Sequence, residues 1–146
     1  MNNLCKQKWS YLYKKSNYQT GLKNFVSKLN NIFDDYEKTS DNERKIISRE
    51  YYEIWNKTME IASAFLYNNA IPAKNDKDIV SFLICSGVFT NGEDVFLLHR
   101  GMCNLKKNNF ILPKKYYGNK YLNILRRFDE FFRDRTELEK QYAMDF

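Results

Sequence analysis

The sequence predicts an all-α protein, folded as an up-and-down antiparallel helical bundle of four to five helices. Three observations lead there. Apolar residues recur in steps of three and four through most of the chain. Turn residues are scarce, with five Gly and two Pro, whereas a β-rich domain of this size needs more of them. Helix-start signatures stand in front of several of the apolar runs.

Residues 1–16 are basic and aromatic, with Lys6, Lys8, Trp9, Tyr11, Tyr13, Lys14 and Lys15. They read as a short helix or as an arm that covers the bundle or docks on a second subunit; residues 17–146 form the bundle itself. Over 17–38, Tyr18, Leu22, Phe25, Val26, Leu29, Ile32, Phe33 and Tyr36 describe one helix face. Ser40-Asp41-Asn42-Glu43 reads as a capping box. Behind it a long helix to about residue 67 carries Ile47, Tyr51, Ile54, Thr58, Ile61 and Phe65, with Trp55, Ala62 and Leu66 widening the stripe. Asn68 to Pro72 stops it, because proline cannot continue the hydrogen-bond ladder.

Asn75 or Asp76 then caps a short helix with Ile79, Val80, Phe82, Leu83 and Ile84, and Gly87 ends it. That helix is apolar nearly all round, which predicts a central place. Thr90-Asn91-Gly92-Glu93 is a second capping box, leading into Val95, Leu98, Met102 and Leu105. Residues 106–119 are polar and basic around Phe110-Ile111-Leu112-Pro113 and read as a loop. The last helix, 119–143, has Tyr121, Leu122, Leu125, Phe128, Phe132, Leu138 and Tyr142 as its stripe, with Arg126 and Glu130 spaced to pair.

Composition bounds the function. With 146 residues, 43% of them hydrophobic, and 11 Phe, 11 Tyr and 2 Trp, the chain can bury a substantial core. That content argues against disorder. No run approaches a membrane span, and the polar, basic start lacks the apolar centre of a signal peptide; a cytoplasmic protein is expected. The cysteines, Cys5, Cys85 and Cys103, are odd in number and widely spaced, and there is one His. Reduced thiols without a zinc site follow, and no cofactor is expected. The net charge of +6 permits nucleic acid or an acidic partner, and the abundant Lys, Asn and Tyr are equally what an AT-rich genome would encode.

Candidate sites cluster in the last third. His99 and Arg100 are adjacent, so on a helix their side chains diverge by about 100°. One chain cannot make them a tight acid–base pair, although a dimer can bring His99 of one copy to Arg100 of another; the plainer reading of His99 is a surface or interface residue. Arg100 and Asn104 share a face one turn apart and can hold a phosphate or a backbone carbonyl; an ordinary solvated face is the bland alternative. Cys103 reads as a small buried hydrophobe, with no base placed for it. Lys106, Lys107, Lys114 and Lys115 bracket the loop, followed by Tyr116 and Tyr117. Basic side chains with interleaved aromatics can follow a nucleic-acid backbone and stack on bases; otherwise the tyrosines anchor the loop to the bundle. Asp34-Asp35 and Glu50/Glu53 have no His or Cys close in sequence and read as solvent-facing charge, not metal ligands.

Three stretches carry a family resemblance. They are Leu22 to Leu29 with the capping box and Arg44; Glu53-Ile54-Trp55-Asn56-Lys57-Thr58-Met59; and Ser86-Gly87-Val88-Phe89 through Asn91-Gly92-Glu93 to His99-Arg100. Together they resemble the HEPN superfamily, and within it the nucleotidyltransferase substrate-binding proteins. Relatives often show Glu-Leu-x-Trp-Lys-Thr-Leu at the second stretch, so Trp55 stands one place early. The resemblance implies a homodimer that binds a nucleotidyltransferase subunit and contacts nucleotide or RNA, in a toxin–antitoxin or defence setting. HEPN ribonucleases place a His after the Arg with four to six residues between them; after Arg100 those positions are Leu105, Lys106 and Lys107. Gly101 replaces the usual polar neighbour, the following Tyr is missing, and His99 precedes Arg100. The expectation is therefore a non-catalytic protein that works by association. The alternatives are a ribonuclease toxin with a rearranged His99/Arg100 site, and a small phage or mobile-element protein that blocks a host enzyme by surface contact.

Overall fold

The computed structural model describes residues 8–87 and 92–144, with side chains to Gln141. Cys5, Lys6, Val88, Phe89 and the cap expected at Thr90-Asn91 lie outside the described residues, as does the side chain of Tyr142. Among the described residues there are six α-helices and no strand: α1 Trp9–Lys15, α2 Tyr18–Ile32, α3 Asp41–Asn68, α4 Asp76–Cys85, α5 Gly92–Cys103 and α6 Asn119–Met144. The all-α bundle follows as predicted. No helix among these residues is long and apolar enough to cross a membrane.

α1 and α2 lie end to end along α3. Their joint is Asn17, held left-handed at φ 53°, a conformation its short polar side chain tolerates better than most. Against α3 the pair runs antiparallel: Trp9 meets Phe65 (ring centroids 5.2 Å), the Tyr18 hydroxyl bonds Thr58 Oγ1 (2.7 Å), and Phe25 meets Tyr51 (5.1 Å). α6 runs alongside α3 in the same direction, since Tyr51 touches Tyr117, Trp55 touches Phe128, and Phe65 touches Phe131 in ascending order.

Of the two readings of the basic, aromatic start, Trp9–Lys15 follow the short helix, and they complete the core. Trp9 is 1% exposed, its indole N–H donates to Glu139 (2.5 Å), and its ring also meets Phe132. Tyr13 donates to the buried Asp129 carboxylate, which ties α1 to α6; burial, then that bond, raises the Tyr13 phenol and keeps it protonated.

α2 ends at Ile32, six residues before the predicted boundary. Asp34 and Asp35 follow, where carboxylates oppose the C-terminal end of the helix dipole. Tyr36 turns inward on a 3-10 turn, Tyr36–Lys38, to donate to the Leu112 carbonyl, with the Arg44 guanidinium 5.1 Å over its ring. Ser40 caps α3 by accepting from the Glu43 amide (3.2 Å). The centre of the α3 stripe is Ser48, Tyr51, Trp55, Thr58 and Ala62, so Trp55 and Ala62, expected at its margin, are its middle.

α3 closes on Ala70, left-handed at φ 56°, with the Ile71 amide reaching back to the Leu66 carbonyl (2.9 Å). An L residue with a Cβ is disfavoured there and glycine is not. Ala70→Gly is accordingly expected to stabilise the protein by roughly 1 kcal/mol, read as a higher urea midpoint at unchanged m. A lower midpoint would refute that assignment.

Asn75, not Asp76, caps α4, its side chain accepting from the Asp78 amide (3.0 Å), and Gly87 leaves at φ 80° as expected. α4 is not central. It buries Ile79, Val80 and Leu83, while Phe82 and Ile84 are half-buried and Cys85 is exposed. Apolar content alone does not show how many faces find a partner.

On α5 the predicted stripe of Val95, Leu98, Met102 and Leu105 is buried. On α6, the stripe from Tyr121 to Phe132 is buried as expected, but Leu138 is 40% exposed. Six residues past Phe132 is about 120° off the stripe, and Thr136 takes the inward place. Glu130 pairs with Arg127 (3.0 Å), not Arg126, which bonds Asn123 (3.0 Å).

Candidate nucleic-acid interface

A buried serine, together with Tyr36, ties the region between α5 and α6 to the bundle. Ser48, fully buried on α3, accepts from the Leu112 amide (3.0 Å) and shares a proton with the Tyr117 hydroxyl (2.7 Å). The predicted loop contains two 3-10 turns, Lys106–Asn108 and Lys114–Tyr117. Between them Asn109 and Phe110 are both left-handed (φ 56° and 59°), and Arg49 sits 5.0 Å over the Phe110 ring. Tyr116 and Tyr117 are buried anchors, not faces open to a base.

Gly101 is explained by the same packing. A Cβ there would stand 2.8 Å from the Tyr116 ring. Where HEPN enzymes carry a polar neighbour of the Arg, this chain needs an absence of side chain. Leu105, one of the positions where their His would fall, is 1% exposed and belongs to the core.

His99 and Arg100 part as predicted. Arg100 is exposed and lies near Tyr116, whose phenol is pushed up by burial and by Tyr121 and pulled back by the Arg100 charge. His99 turns to α3, where the Trp55 indole N–H points at Nδ1 (3.3 Å). An indole can only donate, so Nδ1 accepts and the neutral ring carries its proton on Nε2. That nitrogen faces Cys103 Sγ at 3.5 Å.

Cys103 is thus not the buried hydrophobe expected from the sequence. It is exposed, with an imidazole one turn away. The spacing i, i+4 is the signal that could have found the pair. The two are nevertheless arranged as neutral groups. Burial lowers His99, against an opposing pull from Asp76, and burial and then Asp76 raise the Cys103 thiol. Nε2 already bears the ring proton and cannot take another from sulfur; freeing it would move that proton to Nδ1 and set Nδ1–H against the Trp55 N–H. The same clash opposes a metal on Nε2 and general-base work there.

His99 should leave a pH signature. Its folded value lies below the ordinary value of 6.5, so the unfolded chain takes up the proton first. Its contribution to stability is complete above about pH 6.5 and is lost as pH falls from there toward the folded value. Urea midpoints at pH 7.5 and 5.5, about one unit either side of 6.5, should separate in the native protein and draw together in His99→Gln. Equal separation in both would remove His99 from the account.

The lysine quartet does not face one way. Lys114 lies over the Phe33 ring at the end of α2 (5.2 Å), and Lys115 over Tyr116 (5.3 Å), on the Arg100 side. Lys106 and Lys107 are exposed at the end of α5, and Asn104 is half-buried one turn after Arg100. Asp34 and Asp35 are exposed, and Glu50 pairs with Lys28 (3.0 Å). No group of three or more potential metal ligands occurs among the described residues.

A charge pattern that no motif announces runs through the same region. Residues 95–128 hold eight basic residues, from Arg100 to Arg127, and no acidic one; the remaining 16 basic residues of the chain are outnumbered by its 18 acidic ones. The whole positive excess therefore resides in α5, the pinned loop and the first part of α6. The ion pairs among the described residues take Lys120 to Asp94 (3.0 Å) and Arg127 to Glu130 (3.0 Å), and leave out the other six, Arg100, Lys106, Lys107, Lys114, Lys115 and Arg126. No known protein family, curated protein or solved structure matches this chain.

Proposed function

We propose that the chain is a HEPN-like bundle that acts by association and not by catalysis, holding RNA through the exposed cations of residues 95–128, a stretch of sequence without a carboxylate. The observation that carries this reading is the confinement of the entire positive excess to residues 95–128, with six of the eight cations there outside the ion pairs of the described residues. Such a stretch attracts a polyanion and releases its counterions on contact. The Trp55–His99 bond supports the non-catalytic side, because it occupies the nitrogen lone pair that a proton-accepting His99 would need. A homodimer and a nucleotidyltransferase partner in the cytoplasm belong to the same proposal, and rest on the residues of α2, α3 and α5 that resemble that family.

Retention of the purified protein on RNA at low salt, abolished as salt rises and weakened in Arg100→Glu, is the expected result. RNA cleavage that disappears in His99→Ala would replace this reading with a rearranged ribonuclease. Pull-down from the native host, with the mass of the complex, tests the dimer and its partner.

A further inference from the structure

The acid-free segment holds six aromatic rings: Phe96, Phe110, Tyr116, Tyr117, Tyr121 and Phe128. Every one is occupied. Tyr116, Tyr117, Tyr121 and Phe128 are buried, and Phe96 and Phe110 are half-buried against the core. Tyr116 fills the space above Gly101 and meets Tyr121 (4.9 Å), Tyr117 bonds Ser48, and Phe110 lies beneath Arg49. The strongly exposed aromatics among the described residues are Tyr11 (57%) and Tyr67 (42%), on α1 and at the end of α3, outside this segment.

Proteins that grip bases of a single strand set out aromatic faces for them to stack on. This stretch has the cations without the rings. Phosphate contacts position a nucleic acid and carry no sequence information, whereas base contacts specify it. We infer that four of the exposed cations of this stretch outside the ion pairs, Arg100, Lys106, Lys107 and Lys115, bind a chain of phosphates as such, whichever bases it bears. The ligand class is a linear polyphosphate ester or anhydride: the backbone of RNA, or an inorganic polyphosphate. Asn104, beside Arg100, adds an amide donor to a phosphate oxygen. Lys120 and Arg127 are held by carboxylates and contribute little, and Lys114 faces the α2 end. The inference rests on the RNA-holding reading above and narrows it.

Three probes test it by fluorescence anisotropy at low salt: a short mixed-sequence RNA, an abasic strand of equal length, and inorganic polyphosphate as competitor. The abasic strand is expected to bind within about threefold of the RNA, because a stacked base is worth roughly fivefold to a hundredfold and none is stacked here. Polyphosphate is expected to displace both. Lys106→Gln/Lys107→Gln, both exposed and outside the ion pairs, should weaken both strands by the same factor. The same variant should reduce the salt slope by about one for each phosphate it no longer neutralises. A thermal melt checks that it is folded, and Arg100→Gln is a second route to the same comparison.

An abasic strand that binds tenfold or more weaker than the RNA, by the stacking scale, would overturn the inference and leave the RNA reading intact. Binding by none of the three probes would overturn both. Displacement of RNA by its unlabelled copy but not by polyphosphate would overturn the inference alone.

Discussion

Trp9→Ala is expected to cost about 3–5 kcal/mol of stability. Three effects act together. A fully buried indole is removed from beside Phe65 and Phe132, and a void replaces it. Glu139 loses the N–H that meets it. α1 itself has seven residues and no side-chain cap, and a helix so short does not persist in water on its own propensity. Its order depends on Trp9, Leu12 and Tyr13 being packed. Trp9→Phe keeps a ring and drops the indole N–H, and should cost only about 1–2 kcal/mol.

Chemical denaturation separates these variants, and for a chain of this size the alanine variant should melt roughly 10 °C lower. If α1 can detach while the rest stays folded, amide exchange will quicken in 9–16 alone and the global midpoint will move less. A loss below about 1 kcal/mol, with no local opening, is what a surface residue gives, and would mean that α1 is not part of the core.

How far the sequence discloses such residues depends on the range of the interaction. Stripes at helical period are readable on α2, α3, α5 and α6, because burial of one face repeats every turn. The short-range cap at Ser40 is equally plain. The end of α2 is not, because Tyr36 leaves the helix for a carbonyl 76 residues away in sequence. The composition of α4 suggests a central helix, yet composition is silent on direction. At the candidate site, the divergence of His99 and Arg100 follows from adjacency alone. The His99–Cys103 approach and the acid-free run are visible in spacing and in charge counting, but neither forms a motif that draws the eye. The Trp55–His99 bond spans 44 positions and no local pattern announces it, although it decides which imidazole nitrogen bears the proton. Gly101 stands out in the sequence only as a departure from a motif, and its physical reason, the Tyr116 ring, lies in another segment.

Ser48→Ala is the second large effect, and it links the core to the proposed function. The hydroxyl is small, but two groups converge on it in a place closed to solvent: the Leu112 amide and the Tyr117 phenol. Removing one partner of a buried hydrogen bond leaves the other with its full desolvation cost, about 1–3 kcal/mol for each group. A loss of about 2–4 kcal/mol is therefore expected, well above what one deleted oxygen would give on an exposed helix.

The consequence should be local as well as global. Leu112 is held at its carbonyl by Tyr36 and at its amide by Ser48, so losing Ser48 frees the middle of the loop that presents Lys106, Lys107 and Lys115. Amide exchange over 110–118 should accelerate more than in α3. Affinity for a phosphate chain should fall through the entropy of a loosened site, although no cation has been removed.

Tyr117→Phe provides the control. It removes one of the two groups and leaves Ser48 with the Leu112 amide, so its own cost should be near 1 kcal/mol. In the double variant the phenol is no longer stranded, and the combined loss should fall short of the summed single losses by roughly 0.5–3 kcal/mol. Strict additivity would show that Ser48 and Tyr117 do not share a proton in solution, and the loop would then need another anchor.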